Sequence, residues 1–145
     1  MEKLLISACL LGFNCKYSGG NNSLPEETLK KLRAEYALVP VCPEVAGGLP
    51  VPRDPSERIG TGVFSIRGRD VTAEFQKGAE TAVRLATLFG CKTALLKEDS
   101  PSCGSGRIYD GSFSGVLIPG DGVGAEKLKA LGIKVIGESS IIQEE

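Results

Sequence analysis

"KLLISACL", residues Lys3–Leu10, is a short apolar run, and its reading as a buried strand decides the fold. The Gly- and Asn-rich residues 12–22 that follow it form a loop. Ser23 then stands as a helix N-cap, with Pro25 early, Glu26 three residues after the cap, and Leu29, Leu32 and Tyr36 at helical spacing. "ALVPV" (Ala37–Val41) is a second strand. Strand, helix and strand in this order make a parallel pair.

The pattern continues to the end of the chain. Residues 42–60 are a long loop rich in Pro and Gly, a kind that is usually functional inside a compact domain. "GVFSIRGRDVT" (62–72) is a small hairpin turning at Arg67–Arg69. Residues 72–89 are the longest helix, with Phe75, Ala79, Ala82, Val83, Ala86 and Phe89 on one side and Gly90 at its end. "CKTALLK" (91–97) is a third strand, residues 107–120 hold a second hairpin arm, 124–132 a short helix and 133–137 a final strand. Four apolar strands separated by helical crossovers predict a doubly wound α/β fold with a mostly parallel sheet plus a small hairpin. No repeat or linker divides residues 1–145, which read as a single domain.

Composition narrows the function. Of 145 residues, 41% are hydrophobic, enough for a real core. Seventeen basic and eighteen acidic residues leave a net charge of −1, which does not call for nucleic acid or an anionic membrane. No apolar run approaches the roughly 20 residues of a membrane helix, and residues 1–9 are too short for a signal peptide, so a soluble, cytoplasmic protein is expected. There is no histidine, which removes Ser-His and Cys-His dyads and histidine-ligated zinc.

Five cysteines remain. Cys103, in "KEDSPSCGSG" (Lys97–Gly106), reads as a nucleophile, half of a disulfide or a metal ligand. In doubly wound sheets ligands bind beyond the carboxyl ends of the strands. Cys9 ends the first strand, Cys42 follows the second, and Cys103 lies in the loop after the third, so the topology gathers all three at one edge. Cys15 lies further out on that edge and Cys91 at the opposite one; both read as small apolar residues. No C-x-x-C pair of a zinc ribbon is present. Three thiolates without a fourth ligand leave an open coordination position, a mark of catalytic sites, and an iron–sulfur cluster with one open iron fits the count.

"SACLLGFNCKYSGG" (7–20), "VCPEVAGGLPVPR" (41–53) and "LKEDSPSCGSG" (96–106) resemble the three signature blocks of the bacterial family first catalogued as domain of unknown function 523, whose characterised members are thiouracil desulfurases. Residues 122–138 resemble the family's end. The resemblance implies a Rossmann-like three-layer fold and a [4Fe–4S] cluster held by Cys9, Cys42 and Cys103. It also implies a non-redox, hydrolytic C–S cleavage, with the sulfur of a thiolated pyrimidine or related thioamide at the open iron. Free base, nucleoside and tRNA are all conceivable substrates, though the charge does not favour tRNA.

Such chemistry needs a proton carrier, and Glu44, two residues after Cys42, is the candidate, a desolvated carboxylate in a chain without histidine. Ser100 matches the first serine of the family's "SPSCG" and would orient substrate or stabilise developing charge; Ser102 is its rival, with a hydroxyl free to bond the loop backbone. Asn14, Lys16, Tyr17 and Ser18 form the first block's substrate-binding turn, where family members often carry arginine and aspartate ("CRYDG"); Lys16 keeps the charge without the bidentate fork. Arg53 and Glu57 either fix the long loop to the site or form a surface ion pair. Gly47 and Gly48 either let backbone approach the cluster or serve ordinary turns. The competing readings are a non-catalytic metal- or cluster-binding module, a metal-free thiol enzyme using Cys103, and a nucleotide binder. The last lacks the G-x-G-x-x-G that would follow the first strand.

Overall fold

A computed structural model describes residues 1–142. Among these residues, four parallel strands form the central sheet: β1 (Glu2–Ser7), β2 (Tyr36–Val41), β5 (Thr93–Leu96) and β8 (Lys134–Gly137), in the order β2-β1-β5-β8. The register of β1 against β2 runs from Glu2 opposite Tyr36 to Ser7 opposite Val41. Helix α1 (Glu26–Glu35) connects β1 to β2. The chain then crosses to the other side of β1, through the short helix α2 (Pro43–Ala46), the hairpin β3 (Ser56–Ile59) and β4 (Gly62–Ser65), and the long helix α3 (Thr72–Phe89). A second hairpin, β6 (Arg107–Tyr109) and β7 (Leu117–Pro119), precedes helix α4 (Val123–Ala130); helix α5 (Ser139–Ile142) follows β8.

Alternation along β1 explains the three layers. Leu5 points to one face, where it meets Ala82 and Ala86 of α3 and Ala125 and Leu128 of α4. Leu4 and Ile6 point to the other, with Leu32 of α1 and Leu24. Both faces are buried, which is why β1 reads as a continuous apolar run instead of an alternating one. A third cluster, with Val63, Val71, Phe75 and Val123, seats the first hairpin on α3 and α4.

Three local expectations need correction. β1 ends at Ser7, and Cys9 sits in a 3-10 turn, Ala8–Leu11. Ser23 does not cap α1: Pro25 holds the N-cap position, and the Ser23 hydroxyl donates to the Leu24 carbonyl. The N–H of Leu24 is already taken by the Leu10 carbonyl, which ties the entry to α1 onto the 3-10 turn. The hairpin expected at 62–72 is present in short form: Phe64 bridges Asp70 antiparallel, and Ser65 N–H and Val71 N–H reach the Arg69 and Val63 carbonyls, each at 2.9 Å. The longer partner of β4 is β3, from within the stretch expected to be all loop.

One close approach fixes α2. A Cβ on Gly47 would meet the Glu74 carbonyl oxygen at 1.9 Å, and one on Gly78 would meet that of Pro43 at 1.8 Å. The α2 turn therefore lies backbone against backbone on α3, and only glycine fits on both sides.

Candidate active site

The crossover from β2 to β5 reverses direction across β1, so the switch point lies between β1 and β5. Beyond the carboxyl ends of these strands opens a cleft of about 610 Å³, as the doubly wound topology predicts. Cys9 and Cys103 follow the strands that flank the switch point, and Cys42 follows β2 directly; all three line the cleft. Cys91 is buried at the far edge of the sheet, in the core between α3, α4 and β5.

The thiols are embedded in donors. The hydroxyl of Ser7, at the end of β1, donates to Cys103 Sγ at 3.3 Å and itself accepts the Lys97 N–H at 2.9 Å. Asn22 Nδ2 donates to Cys9 Sγ at 3.4 Å. Cys42 Sγ donates to the Cys15 carbonyl at 3.7 Å. Cys15 also lines the cleft, so four of the five thiols face it. Burial pushes the Cys103 thiol up to about 12, against the opposing hydroxyls of Ser7 and Ser102. Burial raises Cys9 as well, against the Asn22 amide. Burial and the neighbouring Cys42 push Cys15 up to about 12.

The Cys9, Cys15 and Cys103 thiols therefore keep their protons at neutral pH unless a cationic centre displaces them. Among the described residues no group of three or more Cys, Asp or Glu side chains is placed to hold a single metal ion. Thiols that line one cleft, each with a hydrogen-bond donor of its own or a backbone acceptor, form a donor set that fits a polynuclear cluster.

Beside the thiols stands a carboxylate with two partners. Glu44, the second residue of α2, accepts Arg53 Nε on Oε1 at 3.1 Å and the Ser102 hydroxyl on Oε2 at 2.9 Å. The Arg53 and Glu44 side chains are only 7% and 15% exposed. Glu44 thus belongs to a buried ion pair. Arg53 also donates to the carbonyls of Cys15 and Pro50, and its own N–H reaches the Tyr17 carbonyl. It thus ties the first block to the second, as one of its two readings had it.

The two serines divide their duties differently from the expectation. Ser100 Oγ accepts the N–H groups of Cys103 at 2.7 Å and Ser102 at 3.2 Å, so it shapes the loop. Ser102, 2% exposed, is the one that touches Glu44. Its carbonyl in turn accepts the N–H groups of Gly124 and Ala125, and that of Pro101 accepts Val123 N–H. The otherwise unpaired first N–H groups of α4 hold the Cys103 loop in place.

Of the substrate-binding residues expected from the first block, Lys16 and Tyr17 line the cleft, with Lys16 Nζ 6.0 Å from the Tyr17 ring centre. Asn14 and Ser18 do not: Asn14 is exposed and accepts a hydrogen bond from Asn21, and Ser18 lies at the corner of the exposed turn closed between Lys16 and Gly20. Gly48 is also away from the cleft; its φ of 101° is the demand of a turn. Gly47 approaches α3 and no cofactor space.

Glu57 also lines the cleft, and its carboxylate accepts the N–H groups of Gly111 and Phe113. Ser7, Asn22, Lys97 and Phe113 line the cleft too and were not anticipated. Lys97 stands in a quoted signature block, and its ammonium pairs with Glu138 at 2.8 Å. Burial lowers its basicity, but Glu138 prevails and raises it.

Fold and site define an α/β protein with a thiol-lined cleft and a paired carboxylate at the switch point of its sheet. The chain belongs to the 2-thiouracil desulfurase family, whose model matches residues 4–140, and so to a family of C–S-cleaving enzymes. A [4Fe-4S]-dependent thiouracil desulfidase, TudS, is 48% identical and superposes with a TM-score of 0.93 over 99% of this chain and 95% of its own. The uncharacterized protein YbbK of Bacillus subtilis (strain 168) is 40% identical over 95% of this chain and 97% of its own. No helix among the described residues is long and apolar enough to cross a membrane.

Proposed function

We propose that this protein is a [4Fe–4S]-dependent, non-redox desulfurase of a thiolated pyrimidine. The convergence of Cys9, Cys42 and Cys103 on one cleft with the Glu44–Ser102 pair carries the reading. The three thiolates would hold the cluster, with Ser7 and Asn22 donating to two of the sulfurs. When bound, the cluster supplies an open iron that acts as a Lewis acid toward the substrate's sulfur.

The remaining steps belong to the chain. Glu44, fixed from both sides by Arg53 and Ser102, takes a proton from water as the water oxygen adds to the ring carbon that bears sulfur. When the C–S bond breaks, its electron pair leaves with sulfur. Glu44 returns the proton to it and the added hydroxyl releases its own proton to solvent, giving hydrosulfide, a proton and the oxo base. Atoms balance with one water and no oxidant or reductant. The Lys97 ammonium, held by Glu138, faces the same cleft and favours the departing anion.

Anaerobic reconstitution, with iron and sulfide counted per chain, followed by incubation with 2- and 4-thiouracil, tests the reading. About four irons with release of sulfide is expected. Iron uptake without release leaves the non-catalytic cluster-binding module. Glu44→Gln is expected to keep the iron and lose turnover.

A further inference from the structure

One wall of the cleft is built to a specification that the reaction alone does not explain. Phe113 has φ of +57°, a left-handed conformation that residues other than glycine seldom adopt and that a bulky aromatic adopts least of all. Strain of this kind persists where the surroundings enforce it, and here they do. Glu57, the buried residue of strand β3, accepts Gly111 N–H at 2.9 Å and Phe113 N–H at 3.1 Å on Oε1. Asp110 N–H closes the loop base on the Val116 carbonyl at 3.0 Å, and Asp110 Oδ1 accepts Ser112 N–H at 2.9 Å. Gly111 lies against Ile59, where a Cβ would come within 2.4 Å of its Cγ1.

None of this serves packing, because Phe113 belongs to none of the three apolar cores. It is half-buried, and it lines the cleft. With Pro55, Ile66 and Tyr109 it forms an apolar wall, while the thiols, Glu44 and Ser102 supply a reactive one.

We infer that Phe113 is a stacking residue for the substrate ring, held in place by Glu57 as a positioning residue, and that this wall selects flat, fully unsaturated thiolated rings over puckered or acyclic thioamides. The inference rests on the desulfurase reading and deepens it. A planar ring offers its whole face to an aromatic side chain, whereas a saturated ring presents out-of-plane hydrogens and loses the contact. The effect belongs in binding, since only one ring atom turns tetrahedral as water adds and the rest of the flat face meets the aromatic side chain before and during the attack.

The test uses the cluster-loaded protein with 2-thiouracil, its 5,6-dihydro analogue and thiourea, following both calorimetric binding and turnover. Wild type is expected to bind 2-thiouracil more tightly than the dihydro compound. Phe113→Ala is expected to weaken 2-thiouracil binding and raise its KM about tenfold, to change kcat by less than about twofold, and to bring the two rings to nearly equal affinity. Phe113→Leu, which keeps bulk without a ring, behaves like Phe113→Ala, and Phe113→Tyr like wild type. Glu57→Ala reproduces the loss of preference, while Glu57→Gln, which keeps the acceptor oxygen, restores it. An undiminished preference for the flat ring in Phe113→Ala overturns the inference while leaving the desulfurase intact. A loaded wild-type protein that neither binds nor turns over either ring overturns both.

Discussion

The hydroxyl of Ser102 meets Oε2 of Glu44 at 2.9 Å, across 58 residues of sequence. It joins the loop after β5 to the turn after β2 and so couples the Cys103 and Cys42 segments through one carboxylate. Arg53 holds the other oxygen. Glu44 therefore cannot rotate without breaking a charge-assisted bond on one side or the other.

Ser102→Ala is expected to leave iron content unchanged and to lower kcat by roughly ten- to a hundredfold, the range of a lost hydrogen bond to a charged group. Ser100→Ala removes the acceptor for the Cys103 and Ser102 N–H groups and should instead reduce retention of iron. Steady-state rates normalised to iron per chain separate the two. Equal kcat in Ser102→Ala and wild type would take Ser102 out of the mechanism.

Replacing Cys9, Cys42 or Cys103 singly by serine is expected to abolish cluster uptake under anaerobic reconstitution. Cys91→Ser should load normally, since Cys91 lies at the far edge of the sheet. Cys15→Ser should load as well, although its thiol faces the cleft. Iron per chain and visible absorption report the result. Loss of iron in Cys15→Ser would make it a ligand in place of one of the three.

Gly78→Ala places a methyl group 1.8 Å from the Pro43 carbonyl oxygen, a contact that forces α2 off α3. Overpacking of this kind costs about 1–3 kcal/mol, so thermal unfolding should move down by roughly 3–10 °C. The shift also displaces the neighbours Cys42 and Glu44, and lower activity per bound iron is expected alongside. An unchanged melting curve would mean that α2 is free to move.

Asp121 precedes α4 and accepts Lys129 Nζ and Gly106 N–H, both at 2.8 Å. Burial pushes its carboxyl up, but the Lys129 ammonium and the Gly106 N–H outweigh burial and hold it below the ordinary range. A carboxyl held below its unfolded value of about 3.9 contributes stability that is present above that pH and is lost as pH falls through the lower folded value. Asp121→Asn should cost on the order of 1 kcal/mol at pH 7, and the gap should narrow below about pH 4. Urea titrations at pH 7 and pH 3 measure it; a gap that ignores pH rules out the charge as its source.

Much of the frame was legible in the chain order. Four short apolar runs alternating with helical periods gave the parallel sheet, and β1, β2, β5 and β8 stand where those runs are. Phe75, Ala79, Ala82 and Ala86 face the core along α3, and Gly90 closes it in the left-handed conformation, because period and cap are local signals. The position of Cys9, Cys42 and Cys103 at one edge followed from the same order, since residues after parallel strands share an end of the sheet.

What a side chain touches was not legible, because its partner lies far away in sequence. Ser100 and Ser102 are two residues apart in one loop, and only the approach of α2 and α4 from elsewhere decides which hydroxyl meets Glu44 and which binds backbone. Glu57 reads as an ordinary loop carboxylate until the hairpin β3–β4 brings it under residues 111–113. The glycines of "VAGG" and "QKGAE" carry no local mark of the contact that joins them. Sequence fixes period, turn chemistry and strand order, which are short-range properties of the backbone. The tertiary structure alone decides the paired carboxylate, the donors to each thiol and the strained Phe113, because each depends on residues 9 to 96 positions apart being brought within hydrogen-bond reach.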